Sequence, residues 1–184
     1  MIRIFLPLAI LSAALLVATF VLGLQIDDPR VPDPAVQQGV SLHFVTALGA
    51  LCFTTLVHAI VLTYFMGTGR WVEETSTAYQ LDHQFFRENQ SIKYRVVPAL
   101  VGGFLLLLTT GAFGAAADPA SPAQFAGWFG WSPATLHQGI AIITVLANVA
   151  VHYAEYIALD RNGEIIEAVL TEVRRIRLEK GLSV

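Results

Sequence analysis

The chain has 184 residues, of which 55% are hydrophobic and 14% charged, with a mean hydropathy of +0.61 and a net charge of −3. A soluble domain carries about 25% charged residues, so lipid is the expected solvent for most of this chain. The acidic balance and the lack of a basic stripe exclude a nucleic-acid partner, and one cysteine, Cys52, excludes an internal disulfide.

Four segments reach the roughly 20 apolar residues that a membrane helix needs. In chain order they are about 4–26, 40–66, 96–117 and 135–159. Breakers or charges bound them: Asp27-Asp28-Pro29, Gly67-Thr68-Gly69-Arg70, Asp118-Pro119 and Asp160-Arg161-Asn162-Gly163. The first segment is too long for the core of a cleaved signal and lacks a small-x-small site after Gly23, so it reads as a retained helix. The fold expected is all-α: an integral membrane four-helix bundle over 1–159, then a cytoplasmic tail, 160–184, forming an amphipathic helix.

Lys and Arg set the orientation. Ten of the eleven lie at the N-terminus, between the second and third spans, or in the tail; only Arg30 falls in the other two loops. Both termini are therefore expected in the cytoplasm. Trp128 and Trp131 fall where an interfacial aromatic belt would lie. Compact loops and no transit peptide favour a bacterial plasma membrane. The segment Arg70–Arg95 mixes charge with Trp71, Tyr79, Phe85 and Phe86 and is expected on the membrane surface. In the tail, Ile165, Ile166, Val169, Leu170, Val173 and Ile176 recur at helical spacing. That face could pack on its own protein or headgroups, or dock a partner subunit. The stretch Thr63–Trp71 has the look of a signature without a function attached to it.

Four of the five histidines fall within spans: His43 and His58 on the second, His137 and His152 on the fourth. Ionisable residues in a bilayer are costly and usually functional. Each pair is separated by 15 residues, which leaves a net rotation of about 60° and a rise of about 22 Å. Each pair thus lies roughly on one helix face. The second and fourth spans run in the same direction, so His43 and His137 share a level near the outer surface. His58 and His152 share a deeper one, inward of the midplane. Histidine nitrogen is a natural axial ligand of haem iron. Two facing imidazoles give a six-coordinate site suited to electron transfer, and two such sites give an electron route across the membrane.

The pattern resembles the four-helix dihaem core of the cytochrome b subunit of quinol–cytochrome c and plastoquinol–plastocyanin oxidoreductases. The resemblance covers about residues 4–159, and its specific content is the four histidines. It implies that His43 and His137 ligate an outer b haem and His58 and His152 an inner one. A Pro-Glu-Trp-Tyr motif is absent, and Gly23 stands alone where the family has two spaced glycines on its first helix. The resemblance therefore implies haem ligation and not bifurcated quinol oxidation. If only one haem is bound, the expectation falls on the inner pair, because histidines near the interface are cheap. Gly49 and Gly139 on the ligand helices, and Gly102, Gly103, Gly111 and Gly114 on the third, could make room for a macrocycle or simply let helices pack.

The function expected is a membrane b-type cytochrome subunit within a larger respiratory or photosynthetic complex. Its partners would be other subunits, and a quinone is conceivable. A cofactor-free scaffold subunit is the alternative; a small transporter or channel, with histidines lining a polar path, is a weaker one. Zinc or copper needs three or four clustered ligands, and each level offers two. Chlorophyll takes a single histidine and leaves the pairing unexplained. Among other residues, Asn148 is expected to bond a neighbouring helix, Glu155 to pair with Arg95 or Lys93, and His83 to be solvated. Arg70, Lys93 and Arg95 read as positive-inside anchors that could reach inner propionates, and Arg30 is the one cation available at the outer level.

Overall fold

A computed structural model describes residues 1–123 and 125–183. Among them are four α-helices: α1 (Ile2–Leu24), α2 (Pro34–Tyr79), α3 (His83–Ala117) and α4 (Pro133–Glu179). Each is long and apolar enough to cross a membrane, and the chain is built as an integral membrane protein. The helix starts follow capping chemistry. Asp33, Asp82 and Ser132 each accept a hydrogen bond from a backbone N–H of the first turn, and Pro34 and Pro133 open α2 and α4.

Three of the helices overrun the bilayer. At 1.5 Å per residue, the 46 residues of α2 extend about 69 Å, against a hydrocarbon core of about 30 Å. This corrects two expectations. Arg70–Arg95 is not a surface segment; it is the end of α2, a tight turn and the start of α3, forming a helical hairpin. Gln80 closes α2 in the left-handed region at φ 56°, and the Leu81 N–H returns to the Ser76 carbonyl. Nor is the tail a separate amphipathic helix: residues 160–179 continue α4 without a break. Ile165 and Val169 are buried with Val72 and Leu81, with Phe85, Phe86, Val173 and Ile176 packed around them. The chain itself therefore covers much of the face that could have docked a partner.

The helices form a ring in which α1 touches α2 and α4, α3 touches the same two, and α2 and α4 also meet across the diagonal. Lipid tails are as apolar as leucine, so packing and hydrogen bonds rather than hydrophobic burial hold the spanning part together. At the end bearing the hairpin, the Thr63–Trp71 stretch acquires a structural role. Asn89 of α3 donates to the Asn162 carbonyl oxygen, and the Asn162 amide donates to Thr68 Oγ1. Gly69 lets Asn89 approach: a Cβ there would stand 3.1 Å from its Oδ1. Phe65 is fully buried in the adjacent apolar cluster. The stretch thus locks α2 to α3 and α4.

At the opposite end the loop before α4 carries Trp128, Phe129 and Trp131, all exposed. Trp128 packs edge-on against Phe113 and Phe125, and its carbonyl accepts from the Trp131 N–H. This turn requires glycine at 127, where φ is +96° and a Cβ would fall 2.0 Å from the Trp131 carbonyl oxygen.

Candidate functional site: two histidine levels between the diagonal helices

The structure brings the four histidines together in the expected pairs. His43 and His137 have ring centroids 6.3 Å apart, at an interplanar angle of 80°. His58 and His152 have centroids 4.9 Å apart, tilted by 34°. Pairing at both levels makes α2 and α4 co-directional.

The flanking helices shape both levels. On α1, Ser12 and Gly23 are eleven residues apart; on α3, so are Gly103 and Gly114. Eleven residues are close to three turns, so one face of each helix passes both levels. Gly23 lies against His43, where a Cβ would stand 2.9 Å from Cε1, and Gly114 lies against His137, where a Cβ would stand 3.0 Å from Cε1. Gly23 therefore suffices alone at the outer level. Gly103 lies against Asn148 and His58, whereas Gly49, Gly102 and Gly139 face open space and Gly111 meets Leu51. Gly49 and Gly139 touch neither ring, since nothing lies within 4 Å of a Cβ at either position.

At the outer level the backbone holds one of the two rings. His43 Nδ1 donates to the carbonyl of Thr19, four residues before Gly23, at 3.0 Å. On the other side Thr110, four residues before Gly114, lies beside His137, but Nδ1 is buried and closes no hydrogen bond. Among the described residues, neither Nε2 has a hydrogen-bond partner. A carbonyl on Nδ1 sets the tautomer that leaves Nε2 free to ligate. Two imidazoles on opposite sides of one metal, with bonds of about 2.0 Å, put their ring centroids about 6 Å apart. The outer pair therefore fits a bis-histidine haem in ring separation and in the His43 tautomer.

The inner level is built differently. Glu155 does not pair with Arg95 or Lys93. Its Oε1 bonds His58 Nδ1 and its Oε2 bonds His152 Nδ1, both at 2.8 Å. Asn148 Oδ1 is 3.0 Å from His58 Nε2, and Ser12 Oγ is 3.0 Å from His152 Nε2. Asn148 thus bonds a neighbouring helix, as expected, and belongs to the histidine cluster as well. Its amide nitrogen donates to the Thr144 carbonyl, and Ser12 bonds Thr54. Were both rings axial ligands of one iron, their Nδ1 atoms would lie on opposite faces of the macrocycle, out of reach of one carboxylate. The inner donor set does not fit a bis-histidine haem in this arrangement.

The remaining candidates lie elsewhere. His83 is exposed at the first position of α3, and Arg70 is exposed and paired with Glu74 at 2.8 Å. Lys93 sits over the Tyr94 ring. Sequence reasoning missed Glu155 as a third member of the inner set, although its position three residues after His152 is a signal that both share a helix face. No protein-family model, curated protein or solved structure matches this chain.

Proposed function

We propose that this protein is a membrane b-type cytochrome subunit that carries electrons through a haem held by His43 and His137. The observation that carries this reading is the outer pair itself. Two imidazoles from diagonal, co-directional helices face each other at 6.3 Å, with Nε2 unpartnered on both and a glycine of a third and a fourth helix against each ring. When bound, the haem supplies one-electron chemistry, and two histidine ligands leave no position for a substrate. The chain's own residues do the positioning. Thr19 holds the His43 tautomer, and Gly23 and Gly114 admit the rings between the helices. This reading places one haem at the outer pair, where the sequence led to a haem at each pair and, for a single haem, to the inner one.

The excess of Lys and Arg at the hairpin and tail supports an orientation with both termini in the cytoplasm. The outer haem would then lie near the opposite surface, within reach of a carrier or partner subunit there, with Arg30 the cation available to its propionates. A small subunit of this kind fits a larger respiratory or photosynthetic complex in a bacterial plasma membrane. The closed hydrogen bonding of the inner level favours a second reading, a scaffold subunit whose histidines only join helices.

A reduced-minus-oxidised visible spectrum of the purified protein separates the two. The cytochrome reading expects a b-type α band and about one haem per chain, lost in His43→Ala and in His137→Ala but kept in His58→Ala. A spectrum without that band overturns it. Two haems per chain, with one lost in His58→Ala, would overturn the restriction to the outer pair.

A further inference from the structure

The inner cluster is short of one cation. Asn148 commits its amide nitrogen to the Thr144 carbonyl at 2.8 Å, so it turns its oxygen toward His58 Nε2. That oxygen carries no proton, and Nε2 must therefore carry one. A neutral His58 then presents a bare Nδ1 lone pair to Glu155. On the α1 side the hydroxyls allow the matching arrangement. When Ser12 donates to Thr54 at 2.7 Å and accepts from His152 Nε2 at 3.0 Å, His152 Nδ1 is bare toward the other carboxylate oxygen. In that tautomer two imidazole lone pairs and one carboxylate converge, with donor atoms within 4.8 Å of one another. Glu155, Asn148, Ser12 and Thr54 are fully buried, and His58 and His152 are 5% and 6% exposed. In such surroundings, converging acceptors need a positive centre between them.

The geometry points to a divalent transition-metal site formed by His58 Nδ1, His152 Nδ1 and Glu155. Two imidazoles and a carboxylate with one position left open are a donor set for zinc or ferrous iron. The outer contacts match what such ligands require, since each ring would donate its remaining N–H to a fixed oxygen, from Asn148 or Ser12. Metal bonds of about 2.0–2.2 Å at tetrahedral angles set donors about 3.4 Å apart. The present nitrogen–oxygen separations of 2.8 Å would open by roughly half an ångström. The site would also clamp α2 to α4 at the diagonal. A proton is the competing occupant: it would make His58 an imidazolium paired with Glu155, and the test separates the two.

The full chain, purified in detergent, is analysed for total metal and, separately, for haem. The site predicts about one non-haem divalent ion per chain, falling below about a tenth of that in Glu155→Ala and in His152→Ala. His83→Ala, an exposed position, keeps it. Because a ligand variant could misfold, wild-type protein stripped with a chelator is also titrated with Co2+. Visible cobalt bands that saturate near one equivalent and are displaced by Zn2+ are expected. Wild-type protein that is purified metal-free and takes up no cobalt after stripping overturns the site and leaves the proton as occupant; so does undiminished metal in folded Glu155→Ala. The haem reading stands or falls separately, because metal without haem removes only that reading and haem without non-haem metal removes only this one.

Discussion

Gly23→Ala tests the outer level with a single methyl group. The added Cβ would stand 2.9 Å from His43 Cε1 and 3.2 Å from Nδ1. Carbon atoms pack at about 3.5–4.0 Å, so the overlap is about 0.6 Å or more. The ring must turn or α1 must move, and either strains the 3.0 Å bond from Nδ1 to the Thr19 carbonyl. Overpacking of this kind costs about 1–3 kcal/mol. Alanine also favours the helix over glycine by up to about 1 kcal/mol, which hides part of that cost. Gly49→Ala, on a face with nothing within 4 Å, makes the same backbone change without the contact. The difference between the two variants in thermal unfolding, in one detergent, should therefore be about 1–3 kcal/mol with Gly23→Ala the less stable. Haem retention is the second reading. Loss of an outer-shell partner of a ligating histidine typically weakens metal binding about 10–100-fold. If Gly23→Ala unfolds with Gly49→Ala and holds haem equally well, the outer cradle described above is wrong.

Other positions probe the rest of the bundle. Asn162→Ala removes the acceptor for Asn89 and the donor to Thr68, leaving the buried Asn89 amide without its partner. It should cost about 1–3 kcal/mol in a detergent melt, whereas Gly67→Ala, which faces open space, should cost nothing measurable. Val169→Asp places an unpaired carboxylate in the fully buried cluster with Val72, Leu81 and Ile165. Trypsin should then cut the exposed basic sites of the α4 extension at least about tenfold faster, because cleavage follows the population of the open form. Leu170→Asp, on the exposed side, should cut at the wild-type rate. At the end of α4, Arg175 hydrogen-bonds Glu172 and holds its carboxyl below the usual carboxylate range. A depressed folded value means that this contribution is present above the unfolded value and is lost as pH falls through the folded one. Protection of the amides of residues 172–179, taken relative to their intrinsic exchange rate at each pH, should therefore fall on acidification, and Arg175→Gln should remove that dependence.

Much of the architecture was legible because a membrane imposes one-dimensional rules. Span length, the breakers between spans and the distribution of Lys and Arg are all read along the chain. The fifteen-residue spacing fixed depth as well: a helix rises by a constant amount per residue, so equal spacings on co-directional helices put His43 with His137 and His58 with His152. The extensions of α2 and α4 were harder to see. Once charged residues enter, hydropathy no longer reports a helix, yet α2 continues through Arg70 to Tyr79 and α4 through Arg161 to Glu179.

Tertiary structure alone decided how each helix is rotated about its own axis against its neighbours. Spacing leaves that phase open, and phase determines which glycine meets a ring and which faces outward. It turned Gly23 and Gly114 onto the outer imidazoles and turned Gly49 away. It carried Glu155 from an expected cation partner to the carboxylate that joins two histidines from different helices. The two levels, equivalent by sequence, became chemically unlike sites because of the groups that α1, α3 and α4 present to the rings.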